Sequence, residues 1–129
     1  MTDININDLV ETSYNSGRYI GRVIEDRGNF FLIEVLAVTR HPQQGDLHNR
    51  GQVEGVAFHE RKALAYREKT NARKRTSTKY TGEIPEYSES LKQAVEQMKE
   101  QLNEKNTPFN EASLQKLADL EEHFYHKIY

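Results

Sequence analysis

The chain has 129 residues, of which 36% are hydrophobic and 29% are charged, so it is long enough for one domain around a single core. It contains no cysteine, which excludes disulfides, thiolate metal sites and lipid attachment to cysteine within this sequence. The formal net charge is −2, and no apolar run has the length of a signal peptide or a membrane span, so we expect a cytoplasmic protein.

The first half of the chain predicts a β meander. Residues 19–25 are rich in β-branched and aromatic side chains and follow the turn formers Asn15, Ser16 and Gly17, of which Gly17 can take a positive φ. Residues 30–39 are almost continuously apolar, which favours a strand buried on both faces. A second cluster of turn formers lies at residues 26–29, so we expect three strands joined by two tight turns.

Two further short strands are predicted at residues 53–58 and 63–66, although the second segment would also suit one turn of helix. The polar loop that precedes them begins at His41-Pro42, because proline cannot donate a hydrogen bond to a ladder. Residues 70–80 show no periodicity and carry many basic side chains, so we expect a loop there. Five short strands favour a small SH3-like β-barrel over an open sheet.

The pattern becomes helical after Gly82 and Pro85. Ser88 is the expected N-cap of a first helix, whose apolar stripe is Leu91, Val95, Met98 and Leu102. Residues 106–108 end this helix, and Asn110 is the expected N-cap of a second one. The second stripe comprises Leu114, Leu117, Ala118, Phe124, Tyr125 and Ile128. The predicted fold is mainly β with α: an SH3-like barrel at residues 1–80 and an antiparallel helical hairpin at 81–129, packed together as one unit.

One loop combines residues that could carry chemistry: His41, Pro42, Gly45, Asp46 and His48. Histidine and carboxylate are ligands of hydrolytic metal sites, but no recognised metal spacing such as H-E-x-x-H is present. In the alternative interpretation, Asp46 binds backbone N–H groups of a tight loop while the histidines pack or bond to the backbone. No serine lies in a G-x-S-x-G motif. We expect this loop to be structural, with no metal, no cofactor and no catalytic residue.

Positive charge is concentrated between residues 61 and 79, where only Glu68 opposes it, whereas the chain is mainly acidic from Glu83 onward. The basic stretch could bind nucleic acid through phosphate neutralisation and stacking, but a net charge of −2 argues against this. It could equally pair with the acidic end of the chain. We favour recognition of an acidic protein partner, since arginine binds carboxylate and phosphate bidentately. The expected binding residues are Arg61, Lys62, Tyr66, Arg67, Arg73, Lys74 and Arg75.

Four segments resemble one protein family in the same order and with similar spacing. They are YNSGRYIGRV at residues 14–23, HPQQGDLHN at 41–49, FHERKALAYREKTN at 58–71 and TGEIPEYSESLKQAVEQMK at 81–99. Together they resemble kinase-associated protein B of spore-forming bacilli. The resemblance extends from Tyr14 to Tyr125 and therefore covers most of the chain.

The resemblance implies an SH3-like barrel followed by a helical hairpin, in agreement with the residue pattern. It also implies a non-enzymatic, positive regulator of a membrane-bound sensor histidine kinase that feeds the sporulation phosphorelay. Some members are described as lipoproteins, but this sequence has no cysteine to carry a lipid, so we expect a cytoplasmic protein whose contact with the inner face of the membrane, if it makes one, is through the kinase. The family supplies no catalytic residues and no small-molecule substrate. The alternatives are a nucleic-acid-binding SH3-like module that uses residues 61–79 and, third, a metal-dependent hydrolase.

Overall fold

The computed structural model of the protein describes residues 3–45 and 58–129. Its strands are β1 (Leu9–Tyr14), β2 (Gly17–Arg27), β3 (Phe30–Arg40), β4 (Lys69–Arg73) and β5 (Ser77–Lys79). Its helices are α1 (Tyr87–Asn103) and α2 (Pro108–His123), and short 3-10 turns lie at Lys74–Thr76 and Tyr125–Lys127. Of the strand predicted at residues 53–58, all but Phe58 lies outside the described residues.

The five strands form one antiparallel sheet in the order β4-β3-β2-β1-β5. β4 and β5 are the two edges of this sheet, yet only the 3-10 turn at Lys74–Thr76 separates them in the chain. Because three residues span at most about 10 Å, the sheet has to curl until its edges come close together. In the described residues no ladder joins β4 to β5, so the sheet stays open at this seam. The predicted fold class, a barrel-like sheet followed by two helices, is confirmed.

The predicted meander is confirmed as β1, β2 and β3, with tight turns at Asn15-Ser16 and Gly28-Asn29. Asn15 has φ of 53° and Gly28 has φ of 73°, which is the left-handed region that asparagine and glycine tolerate best. The prediction that Gly17 supplies the positive φ is wrong, because Gly17 is already the first residue of β2. A side chain is excluded there for another reason: a Cβ atom would lie 2.5 Å from the Tyr19 hydroxyl oxygen.

The prediction of a strand at residues 63–66 is wrong. The segment is irregular and ends in a turn at Tyr66-Arg67, where Arg67 has φ of 68°. Its backbone N–H groups have side-chain acceptors instead of a neighbouring strand: Ala63 donates to the Tyr125 hydroxyl at 3.0 Å and Leu64 to the Tyr19 hydroxyl at 3.2 Å. The two tyrosine hydroxyls therefore accept the hydrogen bonds that carbonyls of a neighbouring strand would accept in a ladder.

The prediction of a loop at residues 70–80 is also wrong, since this stretch contains most of β4 and all of β5. Ala72 and Ser77 are buried, whereas Arg73, next to Ala72, and Lys79, at the end of β5, are exposed. Edge strands commonly carry charged side chains, which discourage pairing with another chain. High charge therefore did not exclude a strand here, and pairing of β4 with β3 and of β5 with β1 decided the conformation.

Both helices begin at residues other than those predicted. The N-cap of α1 is Glu86, so Ser88 lies inside the first turn. The N-cap of α2 is Thr107, whose hydroxyl accepts a hydrogen bond from the backbone N–H of Asn110 at 3.1 Å, with Pro108 as the first helical residue. Asn110 instead donates its side-chain amide to the carbonyls of Leu102, in the last turn of α1, and Lys105, just beyond it, at 3.0 and 2.9 Å.

The described residues form a hydrophobic core between the curled sheet and the helical hairpin. On α1, Leu91, Val95 and Met98 are buried as predicted. The buried apolar residues that follow on α2 and beyond it are Leu117, Leu120 and Tyr125. The prediction that Ala118, Phe124 and Ile128 share this buried stripe is wrong: α2 ends at His123, and the 3-10 turn that follows directs Tyr125 inward and leaves Phe124 and Ile128 exposed.

Candidate functional site

The loop that begins at His41, which we call the histidine loop, is joined by a buried chain of hydrogen bonds to the 3-10 turn at Tyr125–Lys127, which we call the C-terminal turn. The Ala63 N–H donates to the Tyr125 hydroxyl, and this hydroxyl lies 2.8 Å from Nε2 of His41. On the other side of the ring, Nδ1 of His41 lies 2.9 Å from the Pro42 carbonyl, which can only accept. Nδ1 therefore carries the proton and Nε2 accepts from Tyr125. Burial, the largest influence, lowers the pKa of His41 to about 4, so the ring is neutral.

The backbone on either side of the undescribed loop residues is held by Gln44, Gly45 and Arg61. The Gln44 amide donates to the carbonyls of Pro42 and Arg61, and its oxygen accepts from the Arg61 N–H at 2.8 Å. The Arg61 side chain donates from Nε to the Gly45 carbonyl at 2.9 Å. Gly45 has φ of 98°, and a Cβ there would lie 2.9 Å from the Phe58 ring. Arg61, predicted to bind a partner, thus has a structural role at the base of the loop.

The metal alternative depends on His41, Asp46 and His48 converging on one ion. Asp46 and His48 lie outside the described residues, so their expected roles stay predictions. Both ring nitrogens of His41 are already hydrogen-bonded within the protein, which leaves the ring no nitrogen for a metal in this arrangement. Among residues 3–45 and 58–129, no group of three or more histidine, aspartate or glutamate side chains converges as a metal site would require.

The predicted basic residues do not form one surface. Lys74 lies 2.6 Å from the Asp26 carboxylate and 4.9 Å from the centre of the Phe31 ring. Hydrogen bonding by Lys74 is the main reason why the pKa of Asp26 is below its usual value. Arg67 lies 3.3 Å from Glu34 on the sheet. These cations pair with carboxylates of the sheet and not, in the part of the chain that the structure describes, with the acidic hairpin, where Glu121 pairs with Lys99.

Arg73 and Arg75 remain exposed beside Lys74, at the end of the sheet where β4 turns into β5. None of the ion pairs between described residues involves either arginine. Their guanidinium groups are therefore available to a carboxylate or phosphate in solution. This end of the sheet is the first of two candidate binding surfaces, and we call residues 73–75 the basic turn.

The second surface is a groove of about 1130 Å³ between the irregular segment at 63–66, the N-terminus of α1 and the C-terminal 3-10 turn. Of the predicted binding residues, Lys62 and Tyr66 line it. The Nζ atom of Lys62 lies 4.0 Å from the centre of the Phe124 ring, and 5.8 Å separates the ring centres of Tyr66 and Tyr87. Ile84 also lines the groove, although nothing in the sequence pattern predicted it, and so do Phe124 and Ile128, which were predicted to lie in the core. All three residues lie just outside the two helices: Ile84 before α1, and Phe124 and Ile128 after α2. This position could have identified them, because apolar residues beyond a helix end need not pack against the core.

The two surfaces suit binding better than catalysis. They present guanidinium and ammonium groups beside aromatic and aliphatic side chains, and such groups recognise an acidic or amphipathic partner. His41, whose pKa is lowered by burial, is fully buried and lines neither surface. Neither helix in the described residues has both the length and the apolar character that crossing a membrane requires.

Comparisons with known proteins give the same result for sequence and structure. The model of the family described as kinase associated protein B matches residues 14–125. Over 127 residues the chain is 40% identical to the protein named kinase-associated lipoprotein B of Bacillus subtilis (strain 168), covering 98% of this chain and 99% of that protein. The X-ray crystal structure of kinase-associated protein B from Bacillus cereus is similar with a TM-score of 0.83 and 40% identity, covering 94% of this chain and 97% of that chain.

Proposed function

The chain belongs to the kinase-associated protein B family, and we propose on this basis that it is a non-enzymatic regulatory protein that associates with a kinase. The observation that carries the proposal is the 40% identity, over nearly all of both chains, to a protein whose name states association with a kinase. The geometry supports binding in particular, because the exposed cations and the apolar groove are surfaces for a partner.

The kinase that we propose is a membrane sensor histidine kinase of the sporulation phosphorelay, which the protein would modulate positively. The motifs at residues 41–49 and 81–99 support this part of the proposal, because their resemblance to the family implies that setting. In this proposal the protein lies at the inner face of the membrane through its contact with the kinase.

The basic turn is the proposed contact with the acidic groups of the kinase. Arginine offers two parallel N–H donors to a carboxylate or phosphate, and Arg73 and Arg75 are both exposed. Opposite charges mainly accelerate encounter, so we expect the association to weaken as salt rises. The nucleic-acid alternative has less support, because Arg67 and Lys74 are already paired with carboxylates of the sheet.

Affinity capture tests the proposal. The full chain, immobilised, is incubated with detergent-solubilised membranes of a spore-forming bacillus at low and at high salt, and bound proteins are identified by mass spectrometry. We expect a sensor histidine kinase to be enriched at low salt, and its autophosphorylation rate to rise when the full chain is added. Absence of any kinase among the captured proteins would contradict the proposal, and a captured kinase whose activity falls would contradict positive modulation.

A further inference from the structure

Exposed apolar side chains are concentrated in the groove. Six large hydrophobic residues of the described chain are exposed, and four of the six line this one surface. These are Tyr66 (56% exposed), Ile84 (39%), Phe124 (40%) and Ile128 (41%). Scattered apolar residues on a surface are ordinary, but a contiguous group inside a recess marks an interaction site.

The walls of the groove are fixed by hydrogen bonds from the fold. The Tyr87 hydroxyl donates to the Leu64 carbonyl, which ties the start of α1 to the irregular segment. The C-terminal turn is held by Tyr125, whose hydroxyl bonds to His41 and to Ala63. A recess with such fixed walls loses little conformational freedom when it is filled. At about 1130 Å³ it is at the upper limit of small-molecule pockets, so a peptide segment fills it better than a metabolite does.

The charge at the groove is opposite to that of the whole protein. Its lining residues include the cations Arg22, Lys62 and Lys127 and a single carboxylate, Glu86, whereas the chain as a whole has a net charge of −2. No ion pair between described residues involves any of the three cations. Cations beside an apolar recess attract a ligand that carries both apolar groups and carboxylates.

We propose that this groove binds an acidic amphipathic segment of a protein partner, with bulky apolar side chains against Phe124 and Ile128 and carboxylates near Lys62 and Lys127. The inference rests on the proposed function in that the partner is a protein, and it names the chemistry of the part that docks. An anionic membrane offers the same charges, but its surface is flat and cannot enter a recess. Binding to a bilayer would need apolar side chains that protrude from the protein.

Nuclear magnetic resonance of the ¹⁵N-labelled full chain tests the groove directly. The probe is a synthetic peptide of about 16 residues, with leucine at helical spacing and glutamate on the flanks. Its counterpart has lysine in place of every glutamate, and vesicles that contain phosphatidylglycerol represent a membrane. We expect the acidic peptide to shift amide resonances around Tyr66, Phe124 and Ile128. The lysine peptide and the vesicles should leave these resonances unchanged.

Charge reversal identifies the source of the affinity. The double variant Lys62→Glu/Lys127→Glu should bind the acidic peptide about tenfold more weakly, since charge at the rim mainly sets the rate of association. The matched control Lys92→Glu/Lys105→Glu changes two exposed lysines of the hairpin that do not line the groove, and it should bind as the original chain does. If the double variant does not fold, the single variant Lys127→Glu replaces it, and a smaller loss of affinity for the acidic peptide is expected.

The outcomes separate this inference from the proposed function. Equal binding of both peptides, no shifts with either peptide, or shifts at Phe124 with vesicles alone would overturn the inference. If the full chain captures a kinase but the acidic peptide leaves the groove resonances unchanged, only the inference fails. If the peptide binds in the groove but no kinase is captured, the inference stands and the proposed function fails.

Discussion

The hydroxyl of Tyr125 lies 2.8 Å from Nε2 of His41, although 84 residues separate the two in the chain. Their rings meet edge to face, with 5.8 Å between the centres and an interplanar angle of 74°. This contact fixes the C-terminal turn against the start of the histidine loop. Because Phe124 and Ile128 flank Tyr125 and form one wall of the groove, the buried bond also determines the shape of an exposed binding surface.

The first prediction concerns the Tyr125 hydroxyl. Tyr125→Phe keeps the ring but removes a donor to His41 and an acceptor for the Ala63 N–H. Leaving buried polar groups without partners costs about 2 kcal/mol, so the free energy of unfolding in urea should fall by that amount. Tyr66→Phe is the control, because Tyr66 is 56% exposed and its hydroxyl is accessible to water in the folded protein. Equal stability of the two variants would show that the buried bond contributes nothing.

The second prediction concerns pH. Burial lowers the pKa of His41 from its ordinary 6.5 to about 4, so between these values the unfolded chain binds a proton that the folded chain does not. The stability that depends on a neutral His41 is therefore fully present above pH 6.5 and is lost as pH falls toward 4. Through this group the free energy of unfolding should be about 2 kcal/mol lower at pH 5 than at neutral pH. Urea denaturation at pH 7.5 and pH 5 measures the loss, and His41→Gln should reduce it.

The control for this pH dependence is His126→Gln, because His126 is exposed. It should show the same loss of stability between pH 7.5 and pH 5 as the original chain. Where His41→Gln does not fold, a titration of the His41 ring in the original chain by nuclear magnetic resonance replaces it. Protonation of that ring near pH 6.5 would contradict the buried, neutral state described above.

The third prediction distinguishes the observed helix cap from the one expected from the sequence. Thr107→Ala removes the hydroxyl that accepts from the Asn110 N–H at 3.1 Å, so it should destabilise the protein by about 1 kcal/mol. Ser88→Ala should have a much smaller effect, because Ser88 lies inside α1 and Glu86 is its N-cap. Thermal denaturation of both variants measures the difference. If Ser88→Ala lowered the melting temperature more than Thr107→Ala does, the sequence-based assignment of Ser88 as an N-cap would be supported instead.

Local patterns predicted the elements whose conformation depends on their own residues. The apolar run at residues 30–39 and the stripe of Leu91, Val95 and Met98 each specify a strand or a helix without reference to distant residues. The segment at 63–66 is also apolar, but its backbone N–H groups donate to the hydroxyls of Tyr19 and Tyr125. These tyrosines are distant in the chain, so the local pattern cannot predict the contacts. Likewise β4 and β5 exist because β3 and β1 offer them ladders.

The candidate surfaces were predicted only in part, for a similar reason. The charges of Arg73 and Arg75 are visible in the sequence, and so is their concentration. Which cations are already paired depends on the tertiary positions of Asp26 and Glu34, which the sequence does not specify. The groove depends on where α2 ends: one further turn of helix would change the direction of Phe124, and helix ends are the least predictable part of a pattern.

The last prediction tests the basic turn as the contact with an acidic partner. Replacing Arg73, Lys74 and Arg75 together with serine removes three positive charges, of which only that of Lys74 has a carboxylate partner among the described residues. That pair is exposed to solvent, and exposed ion pairs contribute little to stability, so the melting temperature should change little. Binding of the purified cytoplasmic part of the captured kinase, measured at rising salt, should be weaker than for the original chain and less sensitive to salt. The matched control replaces Lys92, Lys105 and Lys116 of the hairpin with serine and should retain both affinity and salt dependence. A large fall in melting temperature would indicate that the basic turn serves mainly the fold, and unchanged association at every salt concentration would exclude it from the interface.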